Sequence, residues 1–341
     1  PNILIIILEG FGGEYIEELG GAKNVSPNIS RLIREGIFFD NVYANSFRTD
    51  RGLVSTLSGH ISYPTTSIMK LPAKSRLLPG IARTLQQAGY QTDFLYGGDI
   101  NFTNMRSYFT TTGYQHLTSD TDFSLQERTS SSWGAHDEYT FDRLYEMLES
   151  RPADRLWHTG FLTLSSHEPF EVPYNRLKDK RQNSFAYTDH CLGEFIDRLK
   201  QLPVNNLLVI CLPDHGSSPT FNVTSPTFYH IPMLWLGGAI KAPAVIHTLM
   251  NQSDMPATLL GQLGLPHQDF KYSRNIFSTS YTYPFAYSTF SDGFMFKDST
   301  GVTIFDNAAR KPVYNEPAPD GAREEKGMAI LQTSYDQLGE N

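Results

Sequence analysis

Cysteine is almost missing from this chain: 341 residues contain two, Cys191 and Cys211. Neither lies in a CxxC or other zinc-type spacing, which excludes a multi-disulfide scaffold and a thiolate zinc site. Cys191 falls in a helical pattern and Cys211 in an apolar strand, so both read as packed thiols. Basic runs are missing as well, and the net charge is −8, so nucleic acid is a poor partner. No stretch approaches the ~18 apolar residues that a membrane span requires. No signal peptide, repeat or low-complexity tract is visible. What the chain does have is apolar content of 40% and aromatics at 13%, including 18 Tyr and 22 Phe. That is enough for one large α/β domain, a small accessory unit and a sticky groove. Pro1 stands at the threshold of the first core strand, so the natural protein is expected to extend upstream, where targeting or membrane segments would lie.

Strand and helix patterns alternate through most of the sequence. NILIIIL, IFFDNVYA, QTDFLYGG, RLWHTGFLTLS, LLVICLP and IPMLWLGG read as strands. Between them, SPNISRLIREG carries a Ser-Pro helix start and a Gly stop, and LPGIARTLQQAGY ends at Gly89. DEYTFDRLYEMLES and NSFAYTDHCLGEFIDRLKQL are amphipathic helices, and SDMPATLLGQLGL reads as a capped one. This alternation predicts an α/β fold with a mostly parallel central sheet and helices on both faces, over residues 1–265. From 266 to 341 the pattern changes to short β-like runs, YTYPFAYSTF, GFMFKD, GVTIFD and KPVYNE, followed by a helix. These predict a small antiparallel sheet with a terminal helix, packed on the main domain.

Two strand ends stand out. NILIIIL runs into Glu9, and LLVICLP runs into Asp214 and His215. Ligands in open α/β sheets bind beyond the carboxyl ends of strands, so these groups should converge on one crevice. Two carboxylates and an imidazole suit manganese, magnesium or zinc. PDHG by itself is equally a strand-end turn with a satisfied histidine. In SFRTDRGLVSTLSG, Thr49 marks the start of a helix, where free N–H groups favour an anion. A hydroxyl there is more often an N-cap than a nucleophile, but a neighbouring metal reverses the odds by lowering its pKa. Adding the Thr49 oxygen gives a four-point site. Arg51, two residues on, can neutralise a phosphate oxygen or sit on the surface. Asp50, His60, Asp189 and His190 read as packing or supporting groups rather than ligands.

The ordered series ILEG, FRTDRG, SSHEPF, AYTDHCLGEF, PDHG and IPMLWL resembles the alkaline phosphatase/sulfatase superfamily. Within it, the chain is most similar to the lipoteichoic acid synthase-like phosphoglycerol transferases, from Pro1 to about Leu265. The resemblance implies one divalent metal, manganese first, with magnesium or zinc as alternatives, on Glu9, Thr49, Asp214 and His215. It implies Thr49 as nucleophile and His167 as the histidine facing the substrate phosphate. It also implies Asp99 and Arg106, in YGGDINFTNMR, as contacts to glycerol phosphate; the family's usual Trp two positions before that Arg is Asn104 here. WGAHDE, with Trp133 and Asp137, also matches a family stretch and is read as structural. The implied partners are a phosphatidylglycerol-like donor and a hydroxyl acceptor, whether glycan, teichoic acid or water. The implied location is the extracytoplasmic face of a bacterial membrane, reached through segments outside this chain. A sulfatase would need Cys or Ser where Thr49 stands, and a phosphoethanolamine transferase would carry more cysteine. A phosphodiesterase or phosphatase with water as acceptor, and a non-catalytic binding module on an inactive fold, remain as alternatives.

Overall fold

The computed structural model describes residues 1–203 and 206–340. Nine strands form the main sheet: β1 (Asn2–Leu8), β2 (Ile37–Tyr43), β3 (Gln91–Tyr96), β4 (His116–Thr118), β5 (Trp157–Leu162), β6 (Leu207–Pro213), β7 (His230–Leu236), β8 (Ala244–Ile246) and β9 (Met250–Asn251). The order is β4-β3-β5-β1-β6-β7-β2-β8, with β9 also paired to β2. All neighbours run parallel except at β7, which is antiparallel to both β6 and β2. β1 therefore lies between two parallel partners, and its isoleucines and leucines serve both faces of the sheet.

The side-chain alternation of a strand divides the core in two. Ile3, Ile5 and Ile7 of β1, with Leu208, Ile210 and Leu212 of β6, face one apolar cluster. Leu4, Ile6 and Leu8, with Leu207, Val209 and Cys211, face the other. The first face is covered by α2 (Thr49–Ser58), α4 (Ile81–Gln87), α5 (Met105–Thr111) and, farther along, α9 (Met255–Gln262), with the single turn α3 (Pro72–Ser75) on the way to α4. The second is covered by α1 (Pro27–Ile33), α7 (Asp137–Glu149) and α8 (Lys180–Leu199), with the one-turn α6 (Leu125–Arg128) on the way to α7. Both cysteines are free and buried, and burial pushes the Cys211 thiol up to about 12. Asp189 of α8 accepts from the N–H groups of Asn28 and Ile29, so a carboxylate from one helix caps the first turn of α1. His190, beside it, instead stacks on Tyr174 and reaches Glu194.

β10 (Ala286–Phe290), β11 (Gly293–Asp298), β12 (Gly301–Asp306) and β13 (Lys311–Glu316) form a separate antiparallel meander, with α10 (Gly321–Glu340) across β11 and β12. Its Phe290, Met295 and Ile304 pack against Tyr43, Phe47 and Tyr229 of the main body. Asn45 and Asn251 tie the two backbones together around Tyr287. The fold is thus the mixed α/β architecture expected, with the small sheet and terminal helix at its end. Among the described residues, no helix is long and apolar enough to cross a membrane.

Candidate metal centre and active site

Leu8 and Pro213 pair at the ends of β1 and β6, so the next residues, Glu9, Asp214 and His215, emerge side by side. One ligand-type atom from each lies within 4.8 Å of the others. His215 Nε2 is 3.2 Å from Glu9 Oε1 and 3.6 Å from Asp214 Oδ2. The Thr49 hydroxyl donates to Glu9 Oε2 at 2.9 Å. Thr49 is the first residue of α2; Arg48 holds the cap position with extended backbone, and no side chain caps the helix. The threonine oxygen therefore faces the cluster instead of its own helix. Gly52 N–H makes the first bond of the helix, to the Arg48 carbonyl at 2.9 Å, so the amides before it have no partner within the helix.

Glycine at 52 allows this approach. A Cβ there would lie 2.0 Å from the Asp214 carbonyl oxygen. The first turn of α2 thus rests directly on the chain leaving β6, which places Thr49 against Glu9.

Hydrogen bonds to and from the backbone hold each of these residues. Glu9 N–H donates to Thr163 Oγ1 at 3.0 Å, and the Ser166 hydroxyl donates to the Glu9 carbonyl at 2.6 Å. Asp214 Oδ1 accepts from Gly10 N–H at 2.8 Å and from His215 N–H at 2.9 Å. Asp214 Oδ2 is buried and has no hydrogen-bond partner among the described residues. With His215 Nδ1 donating to the Gly216 carbonyl at 2.6 Å, Nε2 is left to face the carboxylates.

The electrostatics of this cluster call for a cation. Burial opposes charge on Glu9, but His215, and beyond it His167, hold its carboxyl well below the usual range. Burial and the Glu9 charge together push Asp214 up to about 8. Burial disfavours His215 imidazolium, yet the two carboxylates outweigh it and raise the ring to about 10. Two carboxylates buried this closely demand positive charge. A divalent cation held by Glu9, Asp214 and His215, with the Thr49 oxygen beside them, would supply it and would give Asp214 Oδ2 the partner it lacks. The donor set of oxygens and one imidazole fits such an ion.

The other residues singled out by sequence lie at graded distances from this centre. His167, half-buried after β5, acts electrostatically on Glu9 and packs against Trp133 with ring centroids 4.1 Å apart and the planes tilted by 49°. The two line a cleft of about 310 Å³ with Ser130, Ser132 and Pro169. Asp99 and Arg106 are both exposed and are bridged by Asn101, whose N–H donates to Asp99 at 2.9 Å and whose side-chain oxygen accepts from Arg106 Nε at 3.0 Å. Tyr96 lies between them and the cluster: burial raises its pKa first, and the charges of Glu9, Asp214 and Asp99 add to it. The structure does not bring Arg51 to the cluster. Its Nε donates to the Tyr63 carbonyl at 3.3 Å, its Nη1 is 3.7 Å from Asp50, and it lies over Phe47. His60, likewise, bonds Tyr63.

Sequence reasoning passed over Trp133 as ordinary packing. Its indole N–H donates to the Glu168 carbonyl at 2.7 Å, bracing the turn that carries His167. Asp137, read as structural, is fully buried and accepts from the N–H groups of Leu164 and Ser165 and from the Thr188 hydroxyl, fixing the same turn to α8. The adjacency of Trp and Asp within WGAHDE was the available signal, but nothing in it tells which one faces the crevice.

Comparison with known proteins agrees with this architecture. The Sulfatase family profile matches residues 1–265. The chain is 24% identical over 323 residues to the lipoteichoic acid synthase-like protein YvgJ of Bacillus subtilis, covering 84% of this chain and 51% of that protein. It therefore spans about half the length of that curated relative. Among solved structures, a protein in the alkaline phosphatase superfamily from Vibrio parahaemolyticus superposes with a TM-score of 0.85 at 24% identity, over 99% of this chain and 87% of the other. The lipoteichoic acid synthase LtaP of Listeria monocytogenes also gives 0.85, at 18% identity, over 99% and 92%. Its central sheet, strand-end cluster and the profile match over most of its length make this chain a member of the sulfatase family, within the alkaline phosphatase superfamily.

Proposed function

We propose that this chain is the catalytic part of a phosphoglycerol transferase that acts on a phosphatidylglycerol-like lipid through a Thr49-linked glycerophosphate. The observation that carries the reading is the Thr49 hydroxyl, uncapped at a helix start and 2.9 Å from Glu9 in a cation-demanding cluster. Support also comes from the likeness to YvgJ and LtaP.

Thr49 Oγ attacks phosphorus; the Oγ–P bond forms as the bond to the diacylglycerol oxygen breaks. The Thr49 hydroxyl proton is given up to solvent, because Glu9, held well below the usual carboxylate range, is too weak a base to keep it. His167 protonates the departing diacylglycerol oxygen. The free amides at the start of α2 hold the phosphoryl oxygens, and Arg106 pairs with one of them while Asp99 accepts from the glycerol hydroxyls. A divalent cation on Glu9, Asp214 and His215, manganese in our reading, would lower the Thr49 pKa and offset phosphoryl charge. An acceptor hydroxyl, from a glycan, teichoic acid or water, then attacks phosphorus, giving its proton to the His167 that lost one in the first step, and the Oγ–P bond breaks to return Thr49. This chemistry belongs at the extracytoplasmic face of a bacterial membrane. The sulfatase alternative has no support at position 49, since threonine is not a precursor of formylglycine.

The test compares the manganese-loaded chain with Thr49→Ala, using phosphatidylglycerol, a soluble glycerophosphodiester and a sulfate ester. We expect about one divalent ion per chain in both proteins, release of glycerophosphate by the parent, and a loss of about 10³-fold or more in the variant. Mass spectrometry of the parent should show glycerophosphate on Thr49. Turnover retained by Thr49→Ala would overturn the mechanism.

A further inference from the structure

Two phenylalanines stand exposed on opposite flanks of the crevice. Phe102, on the loop after β3, is 48% exposed, and Phe221, on the loop after β6, is 55% exposed. In the sheet, β3 and β6 flank the pair β5 and β1, whose ends carry His167 and Glu9. Three strand spacings separate the two loops at their origin, about 14 Å. Phe102 meets Trp133 edge-on, and Phe221 meets Phe47 edge-on, two residues before Thr49. Both rings therefore border the reaction site without entering the cluster.

Each ring has an exposed guanidinium close by. Arg106 lies four residues after Phe102, and Arg48 packs over Phe47, against which Phe221 rests. The chain as a whole carries net charge −8, so arginines at both corners of this rim run against its overall charge. Phenyl rings beside arginines at the edge of a polar crevice have the chemistry of an interfacial anchor: apolar surface for the acyl boundary and cations for anionic headgroups. Phenylalanine offers no hydrogen bond, which suits a lipid surface better than a sugar.

We propose that this rim is a docking edge by which the catalytic domain itself rests on an anionic lipid bilayer, with the crevice opening onto the headgroup layer. The proposal rests on the lipid-donor reading above and adds to it a direct contact between this chain and the membrane. Such an edge would let a phosphodiester reach Thr49 without leaving the bilayer.

The experiment uses the chain carrying Thr49→Ala, so that binding is read without turnover, and measures co-sedimentation with two kinds of vesicle. One is phosphatidylcholine alone; the other is an equal mixture of phosphatidylcholine and phosphatidylglycerol. The same measurement is made on Phe102→Ser/Phe221→Ser in that background, with circular dichroism to confirm the fold. Preferential binding to the anionic vesicles, weakened by salt and reduced about tenfold per ring removed, is the expected result, since each ring has about half its surface left to bury. In the active parent, the double variant should lose turnover of vesicle-borne donor while keeping that of a soluble glycerophosphodiester. No association with either vesicle, or equal partition of the double variant, would overturn the docking edge. So would a ring-dependent self-association seen by light scattering in place of vesicle binding. Vesicle binding that needs the rings, in a parent that cleaves no glycerophosphodiester, would sustain the docking edge and sink the lipid-donor reading.

Discussion

Gly52→Ala should separate catalytic geometry from stability. The added methyl would meet the Asp214 carbonyl oxygen at 2.0 Å and its carbonyl carbon at 2.6 Å, where ordinary contact begins near 3.4 Å. The shortfall, 3.4 − 2.0, is about 1.4 Å, and both partners resist it. The Asp214 carbonyl is held by Gln252 Nε2 at 2.7 Å, and α2 is packed through Leu53, Val54 and Leu57 into the core. Overpacking of this kind costs about 1–3 kcal/mol. Replacing this first-turn glycine by alanine returns at most about 1 kcal/mol. Backbone lies on both sides of the overlap, so the cost falls at the upper end of that range or beyond it, and the net loss of stability should be about 2 kcal/mol or more, read as a shift of the urea transition. Thr49, however, is three residues away on the same turn, and moving it by an ångström from Glu9 should cost about 10²-fold in kcat/KM. The assay pairs urea unfolding with steady-state turnover of a glycerophosphodiester. Gly321→Ala, where an added Cβ meets nothing within 4 Å, is the control. A folded Gly52→Ala protein with parental kcat/KM would refute the argument that this contact sets the nucleophile.

Two further predictions concern buried titratable groups. His158 in β5 donates from Nδ1 to the Ile3 carbonyl and accepts at Nε2 from the Tyr114 hydroxyl, a neutral ring with both nitrogens used. Burial lowers its pKa from 6.5 to about 4, so the unfolded chain binds the extra proton first. Stability from this residue is complete above pH 6.5 and is lost as pH falls toward 4, by about 3 kcal/mol at most. Urea titrations of His158→Phe across that window should show a flatter dependence on pH than the parent; an unchanged slope would refute the assignment. Asp214→Asn should weaken divalent-ion binding by at least about 10-fold, measured by calorimetry. The chelator-treated variant should melt no lower than the chelator-treated parent, because burial and the Glu9 charge both oppose the charge it removes. Parental ion affinity would contradict the proposed ligand set.

The central strands were legible because β1 and β6 are unbroken apolar runs, and such runs can only be buried on both faces. Their abrupt endings on Glu9 and on Asp214-His215 announced the crevice for the same reason. Other features left no comparable trace. The reversed direction of β7 is invisible in IPMLWL, since an apolar run reads alike either way. β4, β8 and β9 are too short to show a period. Gly52 looks like a weakness inside a helix until the Asp214 carbonyl is seen beneath where its side chain would be. Arg51 sits close to Thr49 in sequence, but at two residues' distance on a helix it points to a different side, toward Tyr63 and Phe47. Trp133, between α6 and α7, and His167, after β5, come from separate loops; a bridge between Gly134 and Gly98 holds the first against the end of β3, the neighbour of β5.

The position of β1 has a consequence for how the site responds to motion. Its amides are bonded to parallel partners on both sides, and apolar layers cover both faces, so hydrogen exchange at Ile5 and Ile6 should need opening of the sheet as a whole. Glu9 is anchored at the end of that least-yielding strand, and Asp214 at the end of its neighbour. The carboxylates are thus coupled to global unfolding, while the loops that bear Phe102 and Phe221 can open at far lower free energy. The division makes the Glu9–Asp214 end a fixed datum and, on the proposed reading, leaves adaptation to substrate and acceptor to the surrounding loops.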